Sequence, residues 1–198
     1  MSLIELLVVV ALIAILAAIS VPAFVSIAQG SGMRRAINGI SDVLEGARTE
    51  AMATSTWVLV GLADTTQVNA ARTPQLTLMV VASRDGTTNT AAANLIALAK
   101  PVRIENVRIL DSPTQWAGNA ALLKNSSFRF TGTIAGSAQT FTNTVIAFSP
   151  QGEALITPTA LSSWIEIPVR EMRGTKEIAE KTASIRVSGV SGQVVVNY

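Results

Sequence analysis

Met1-Ser2-Leu3-Ile4-Glu5-Leu6-Leu7-Val8-Val9-Val10-Ala11-Leu12-Ile13-Ala14-Ile15-Leu16-Ala17-Ala18-Ile19-Ser20-Val21-Pro22-Ala23-Phe24 opens the chain, and no side chain from Leu6 to Ile19 is polar. Glu5 stands just ahead of that run, no Lys or Arg precedes it, and the next charged residue is Arg34. At about 1.5 Å per helical residue, Leu3 to Ala28 reaches roughly 39 Å, more than a bilayer's hydrocarbon core of ~30 Å. The stretch therefore predicts an apolar helix able to span a membrane. A secretory signal peptide would carry basic residues ahead of its apolar run, and this chain has none there. A core helix is seldom apolar on every side for this length. A plain anchor leaves Glu5 without a reason, because a carboxylate at the edge of an apolar span is costly unless it reaches water or a partner.

Ser2-Leu3-Ile4-Glu5-Leu6-Leu7, the apolar run and Pro22-Ala23 together resemble the start of a mature type IV pilin or type II secretion pseudopilin. In that family a prepilin peptidase cuts after a glycine and methylates the new first residue. The resemblance puts Met1 in that place, where Phe is usual, and implies that the chain is already processed. It also implies a helix that first sits in the bacterial inner membrane as a single pass. The chain is then passed by an assembly platform into an extracellular or periplasmic helical filament of its own copies.

Composition sets the outer limits. The 198 residues suffice for one domain plus an extension. Hydrophobic residues make up 49% and charged ones 14%, and the mean hydropathy is +0.44. So sparsely charged a surface suits packing against copies of itself. The net charge of +2 is too small to call for a polyanionic partner. There is no Cys, which removes disulfides and thiolate chemistry. There is no His, which removes the usual general base at neutral pH and any Ser-His-Asp arrangement. No pair of acids stands out for carboxylate chemistry. The expectation is a protein without catalytic residues, metal or cofactor.

Beyond the apolar run, Pro22 cannot donate to the carbonyl of Ala18, so a bend is expected there. Gly30-Ser31-Gly32 is a second soft point, and Gly30 and Gly32 are expected to share in the bending. From Met33 to Thr54 the pattern becomes one-sided. Ile37, Ile40, Val43, Leu44, Ala47 and Ala51 recur every three or four residues, with Asn38, Asp42, Glu45 and Thr49 opposite. That change divides the chain into an apolar helix, 1–32, and a globular head, 33–198, the head being an amphipathic helix, 33–54, and a β-rich region, 55–198.

Strand-forming runs follow at Trp57–Ala63, Gln75–Ser83, Val102–Leu110, Ser127–Thr131, Thr144–Phe148, Glu153–Thr157, Trp164–Arg170, Ala183–Ser188 and Gln193–Asn197. Asp64–Asn69 and Ser83–Asn94 are predicted loops, and Ser149-Pro150-Gln151-Gly152 and Ser188–Gly192 predicted turns. The predicted fold is α+β: a long N-terminal helix, apolar stalk first and amphipathic half second, packed on a mostly antiparallel sheet. Ala47-Arg48-Thr49-Glu50-Ala51 before a strand, Ala147-Phe148-Ser149-Pro150-Gln151-Gly152, and a last strand after Gly192 are similar to the head of the GspH/FimT group of minor pilins.

Glu5 is the foremost candidate functional residue. The resemblance implies that it pairs with the N-terminal amine of a neighbouring Met1 and sets the register between subunits. The predicted function is a structural subunit of a type IV pilus-like filament. Its rivals are a minor pseudopilin of a type II secretion system and a DNA-capturing minor pilin. DNA-binding members of the FimT group carry Gly-Arg-x-Arg near the last strand, where this chain has Gly192-Gln193-Val194-Val195. The departure argues against nucleic acid as a partner. Arg170, Arg173, Lys176, Lys181 and Arg186 alternate with Glu166, Glu171, Glu177 and Glu180, which predicts a mixed, solvated face. Trp57, Trp116 and Trp164 are expected in the core or at interfaces.

Overall fold

The computed structural model describes residues 3–66, 74–134 and 136–198, with side chains at 3, 5, 17–31, 65 and 66 outside the description. Helix α1 (Leu3–Thr54) is followed by β1 (Val58–Thr66), β2 (Pro74–Ser83), β3 (Leu95–Ala97), β4 (Val102–Glu105), β5 (Val107–Ile109) and β6 (Ala121–Leu122). Then come β7 (Arg129–Ile134), β8 (Ser137–Thr142), β9 (Val145–Phe148), β10 (Ala154–Leu155), β11 (Trp164–Arg173), β12 (Lys176–Ser188) and β13 (Val194–Asn197). The helix ends where Ser55 turns left-handed at φ 52° and Thr56 N–H reaches back to the Ala51 carbonyl, 3.2 Å away. That backward bond satisfies a carbonyl the helix would otherwise leave open.

Two antiparallel sheets face one another across the second half of α1. The first runs β10-β9-β1-β2-β3, with β4 also on β2. The second runs β13-β12-β11-β5, with the short β6 parallel to β11. The predicted run Val102–Leu110 is shared between the two sheets. Its first half, β4, pairs with β2 and its second half, β5, with β11. The break is Asn106, at φ 61°, a left-handed conformation that Asn tolerates better than most residues. Both its main-chain groups are used, the N–H on Pro74 and the carbonyl on Met172.

The main core lies between α1 and the inner faces of both sheets. Ile37, Ile40, Leu44 and Ala51 of α1 meet Val58, Val60 and Leu62 of β1 and Ile165, Ile167, Ile185 and Val187 of the second sheet, all buried. Because strand side chains alternate, β1 sends Leu59 to the opposite face. There a second core gathers Leu59, Met79, Val81, Val145 and Ala147 beneath the β7–β8 hairpin. Phe130 and Phe141 of that hairpin stack at 4.8 Å directly over Gly61. Strand β8 was not foreseen in the sequence, since Ser137-Ala-Gln-Thr-Phe-Thr142 buries only Phe141.

The architecture is α+β, but two features of the predicted fold are corrected. The β-region is two sheets and a covering hairpin, not one sheet. And among the described residues no helix is long and apolar enough to cross a membrane. The membrane-spanning stalk of the sequence reading is therefore withdrawn.

Candidate functional site

At the start of α1 the described side chains between Ile4 and Leu16 present apolar surface on every side of the helix. Ile4, Leu6, Leu7, Val8, Val9, Val10, Leu12, Ile13, Ile15 and Leu16 are all between 47 and 71% exposed. A solvated helix keeps a polar face, and this arm has none between Leu6 and Leu16. Of the residues expected to serve assembly, Met1 lies outside the described residues, as do the side chains of Glu5 and Pro22 and the surroundings of Gly30. Gly32 is exposed and has open space around it. Arg34 and Arg35 are exposed just beyond.

The second place where separate segments converge is the C-terminal part of α1. Arg48 projects between two turns, one closing at Gly152 (φ 85°) and one at Gly192 (φ 66°). A Cβ at Gly192 would lie 2.7 Å from Arg48 Cδ, and one at Gly152 would lie 2.8 Å from Met52 Sδ. So Gly192 is needed both for the backbone angle and for the space, since a Cβ there would also collide with the Gly152 carbonyl, and Gly152 chiefly for the backbone angle. Gly152 N–H donates to Ser149, Gly192 N–H to Ser188, and Ala154 N–H to the Gly189 carbonyl. The three segments that carry the GspH/FimT resemblance thus meet around one arginine. Gln193 is exposed beside them.

The alternating charges of β11 and β12 do not form a uniform solvated face. Arg108 and Arg170 both grip Glu177, each with Nη1 at 2.8 Å from a different carboxylate oxygen, and Arg170 Nε also donates to Thr182 at 3.0 Å. The hydrogen bond from Arg170, aided by the Arg108 charge, holds the Glu177 carboxyl below its ordinary pKa. Lys181 pairs with the buried Glu171 at 3.0 Å, and Arg186 lies over the Trp164 ring at 4.8 Å. Glu166 is completely buried. Its carboxylate accepts the Thr114 N–H (3.2 Å), the Thr114 hydroxyl and the Ser184 hydroxyl (2.7 Å).

Between this charged hairpin and the segment 110–116 lies an open groove of about 620 Å³. Arg108, Arg170, Glu177 and Glu180 line one side, Thr114 and the half-buried Trp116 the other. At its edge Lys124 holds Asp111 at 2.8 Å, which keeps the Asp111 carboxyl below its ordinary pKa. Charge alternation hid this groove from sequence reasoning, because it forms only when β5, β11 and β12 pair. The one legible signal was a tryptophan within a polar stretch. Among the described residues no three acidic side chains converge as metal ligands would.

No family model, no curated protein and no solved structure matches this chain. With the spanning helix withdrawn, the predicted single-pass inner-membrane location goes too. So does the pilus-like filament subunit assembled through that stalk, together with its secretion and DNA-capture variants. The finding behind each correction is the same: among the described residues no helix is long and apolar enough to cross a membrane.

Proposed function

We propose that the protein works by associating with further copies of itself through the arm Ile4–Leu16. We also propose that it is kin to the type IV pilins and type II secretion pseudopilins, with a GspH/FimT-like head. The observation that carries the first reading is the all-round apolar exposure of ten large side chains. Half-exposed aliphatic side chains in that number present on the order of 1,000 Å², against the 300–600 Å² of a monomer's largest patch. It also matches the ~800 Å² each partner contributes to a standard interface. The arm offers a polar partner no charge between Leu6 and Leu16, whereas a second arm offers like surface for like. Burial at about 25 cal/mol per Å² would favour that contact. Neither a membrane span nor a filament enters this reading.

What supports the kinship is the meeting of Arg48, Gly152 and Gly192 in one junction. Kinship carries with it processing and methylation at Met1. Glu5 would then be the polar residue within an apolar contact, and a carboxylate buried there needs a cationic partner from the neighbouring copy. Such a pair would fix how one arm lies along the next.

Sedimentation of the full chain against its Val9→Glu/Ile13→Glu variant tests the association. The full chain should form discrete, concentration-dependent oligomers, and the doubly charged variant should remain a monomer with an unchanged circular-dichroism spectrum. A full chain that stays monomeric at tens of micromolar, or a variant that associates equally well, would sink the proposal.

A further inference from the structure

The groove between segment 110–116 and the β11–β12 hairpin has no part in the self-association reading, and its construction points to a ligand. We propose that it is a saccharide-binding groove, taking an uncharged, polyhydroxylated ligand against Trp116. Its volume of about 620 Å³ lies within the 300–1,000 Å³ usual for small-molecule sites.

The chemistry of the walls narrows the class of ligand. A polyanion would meet two guanidinium groups already matched by Glu177, with Glu180 beside them and Asp111 already held by Lys124. An apolar ligand would strip water from those same charged groups without replacing its hydrogen bonds, which is costly. A saccharide suits both constraints. Its hydroxyls donate to the carboxylates and accept from the guanidiniums and from Thr114, while its C–H face can lie on the half-buried indole of Trp116. Aromatic faces carry partial negative charge and favour such contacts.

The groove is also held in shape before any ligand arrives. Glu166 is fully buried beneath it, and its carboxylate holds Thr114 by both N–H and hydroxyl. Thr114 in turn accepts the Trp116 N–H at 3.3 Å and, through its carbonyl, the Ala117 N–H at 3.1 Å. A buried acid is a costly way to build a loop. Here it fixes the wall that carries the tryptophan. On the opposite wall the shared Glu177 locks Arg108 of β5 and Arg170 of β11 to β12. Fixing the binding groups in advance lowers the ordering cost that weakens many small-ligand sites.

The test is a titration of the full chain, kept in a detergent without a sugar headgroup, with soluble oligosaccharides. Glucose-, galactose-, mannose- and N-acetylglucosamine-based oligomers would be followed by ligand-observed NMR up to about 10 mM. At least one should bind. Trp116→Ala should weaken it at least about tenfold. Gln115→Trp, a change at an exposed loop position that fills the groove, should do the same without bearing on folding. Trp164→Phe, on the far side of Arg186, should leave binding unchanged. The proposal is overturned if no oligomer binds, or if Gln115→Trp binds as well as the parent chain. It is equally overturned if binding is confined to a sulfated oligosaccharide and is lost in Arg108→Gln.

Discussion

The two ends of α1 meet opposite fates. Met33, Ile37, Ile40 and Leu44 are 0–7% exposed, while the ten large apolar side chains described between Ile4 and Leu16 are 47–71% exposed. The difference is arrangement as well as amount: no side chain from Leu6 to Ile19 is polar, whereas Met33 to Thr54 mixes apolar and polar residues. In the second half the apolar residues keep to one stripe, so two sheets of the same chain can cover them and leave Asp42 and Glu45 in water. Between Ile4 and Leu16 there is no stripe, and the rest of the described chain leaves these side chains uncovered. One-sidedness marks a surface that its own chain will bury. Its absence marks a surface whose cover must come from elsewhere.

The sharpest way to break this comparison is to make the same truncation at both ends. Ile40→Ala opens a cavity in the shared core and should lower unfolding stability by about 3 kcal/mol. Ile13→Ala removes a side chain already in solvent and should change unfolding by less than ~0.5 kcal/mol, while weakening association. Urea unfolding of both variants, at a concentration where the chain is monomeric, gives the two numbers directly. Equal losses would mean that the arm packs on the head after all.

A smaller effect is expected within the head, at the cover of the outer core. A Cβ on Gly61 would come within 2.6 Å of the Phe141 ring and 2.8 Å of Phe130. Gly61→Ala should therefore cost about 2 kcal/mol, because the stacked rings must shift off β1. Near-ultraviolet spectra and thermal melts would show it. A neutral result would mean that the β7–β8 hairpin lies loosely on the sheet, more like the arm than like the core.

How much of this was legible in the sequence follows from the same contrast. The amphipathic half of α1, β2, and the turns at Gly152 and Gly192 were readable because each has a local cause, a period or a turn residue. The β7–β8 hairpin was half read, because Phe141 is the only buried side chain of β8 and a single residue makes no pattern. The loop Asp64–Asn69 was misplaced at its start, for β1 continues to Thr66 opposite Pro74. The split of Val102–Leu110 between two sheets depends on partners distant in sequence, and nothing local announces it beyond Asn106. The groove was least visible. Glu166, Glu177, Arg108 and Arg170 look like ordinary surface charges until the strands bring them together. And the length of the opening apolar run predicts a membrane span, although length alone cannot say what covers a helix.

The smallest effect, and the most discriminating between arm and head, is that of acid. Glu177, Asp111 and Asp85 all have carboxyls held below their ordinary pKa. For Glu177 the chief cause is the Arg170 hydrogen bond, for Asp111 that of Lys124, and for Asp85 those from Thr87 and Asn94. A carboxylate with a depressed folded pKa binds fewer protons folded than unfolded, so stability rises with pH across the interval between the two values. The contribution is complete above the ordinary carboxyl pKa, 4.5 for Glu177, and is lost as pH falls through the lower folded value. Head stability should therefore decline between about pH 5 and pH 3, and Glu177→Gln with Asp85→Asn should flatten the decline. The arm carries no ionisable side chain from Leu6 to Leu16. In a Glu5→Gln background its association should hold constant over the same interval, read by sedimentation alongside the unfolding curves. Association that weakened in step with the head would show the two halves of α1 to be energetically coupled, and the division drawn between them would fail.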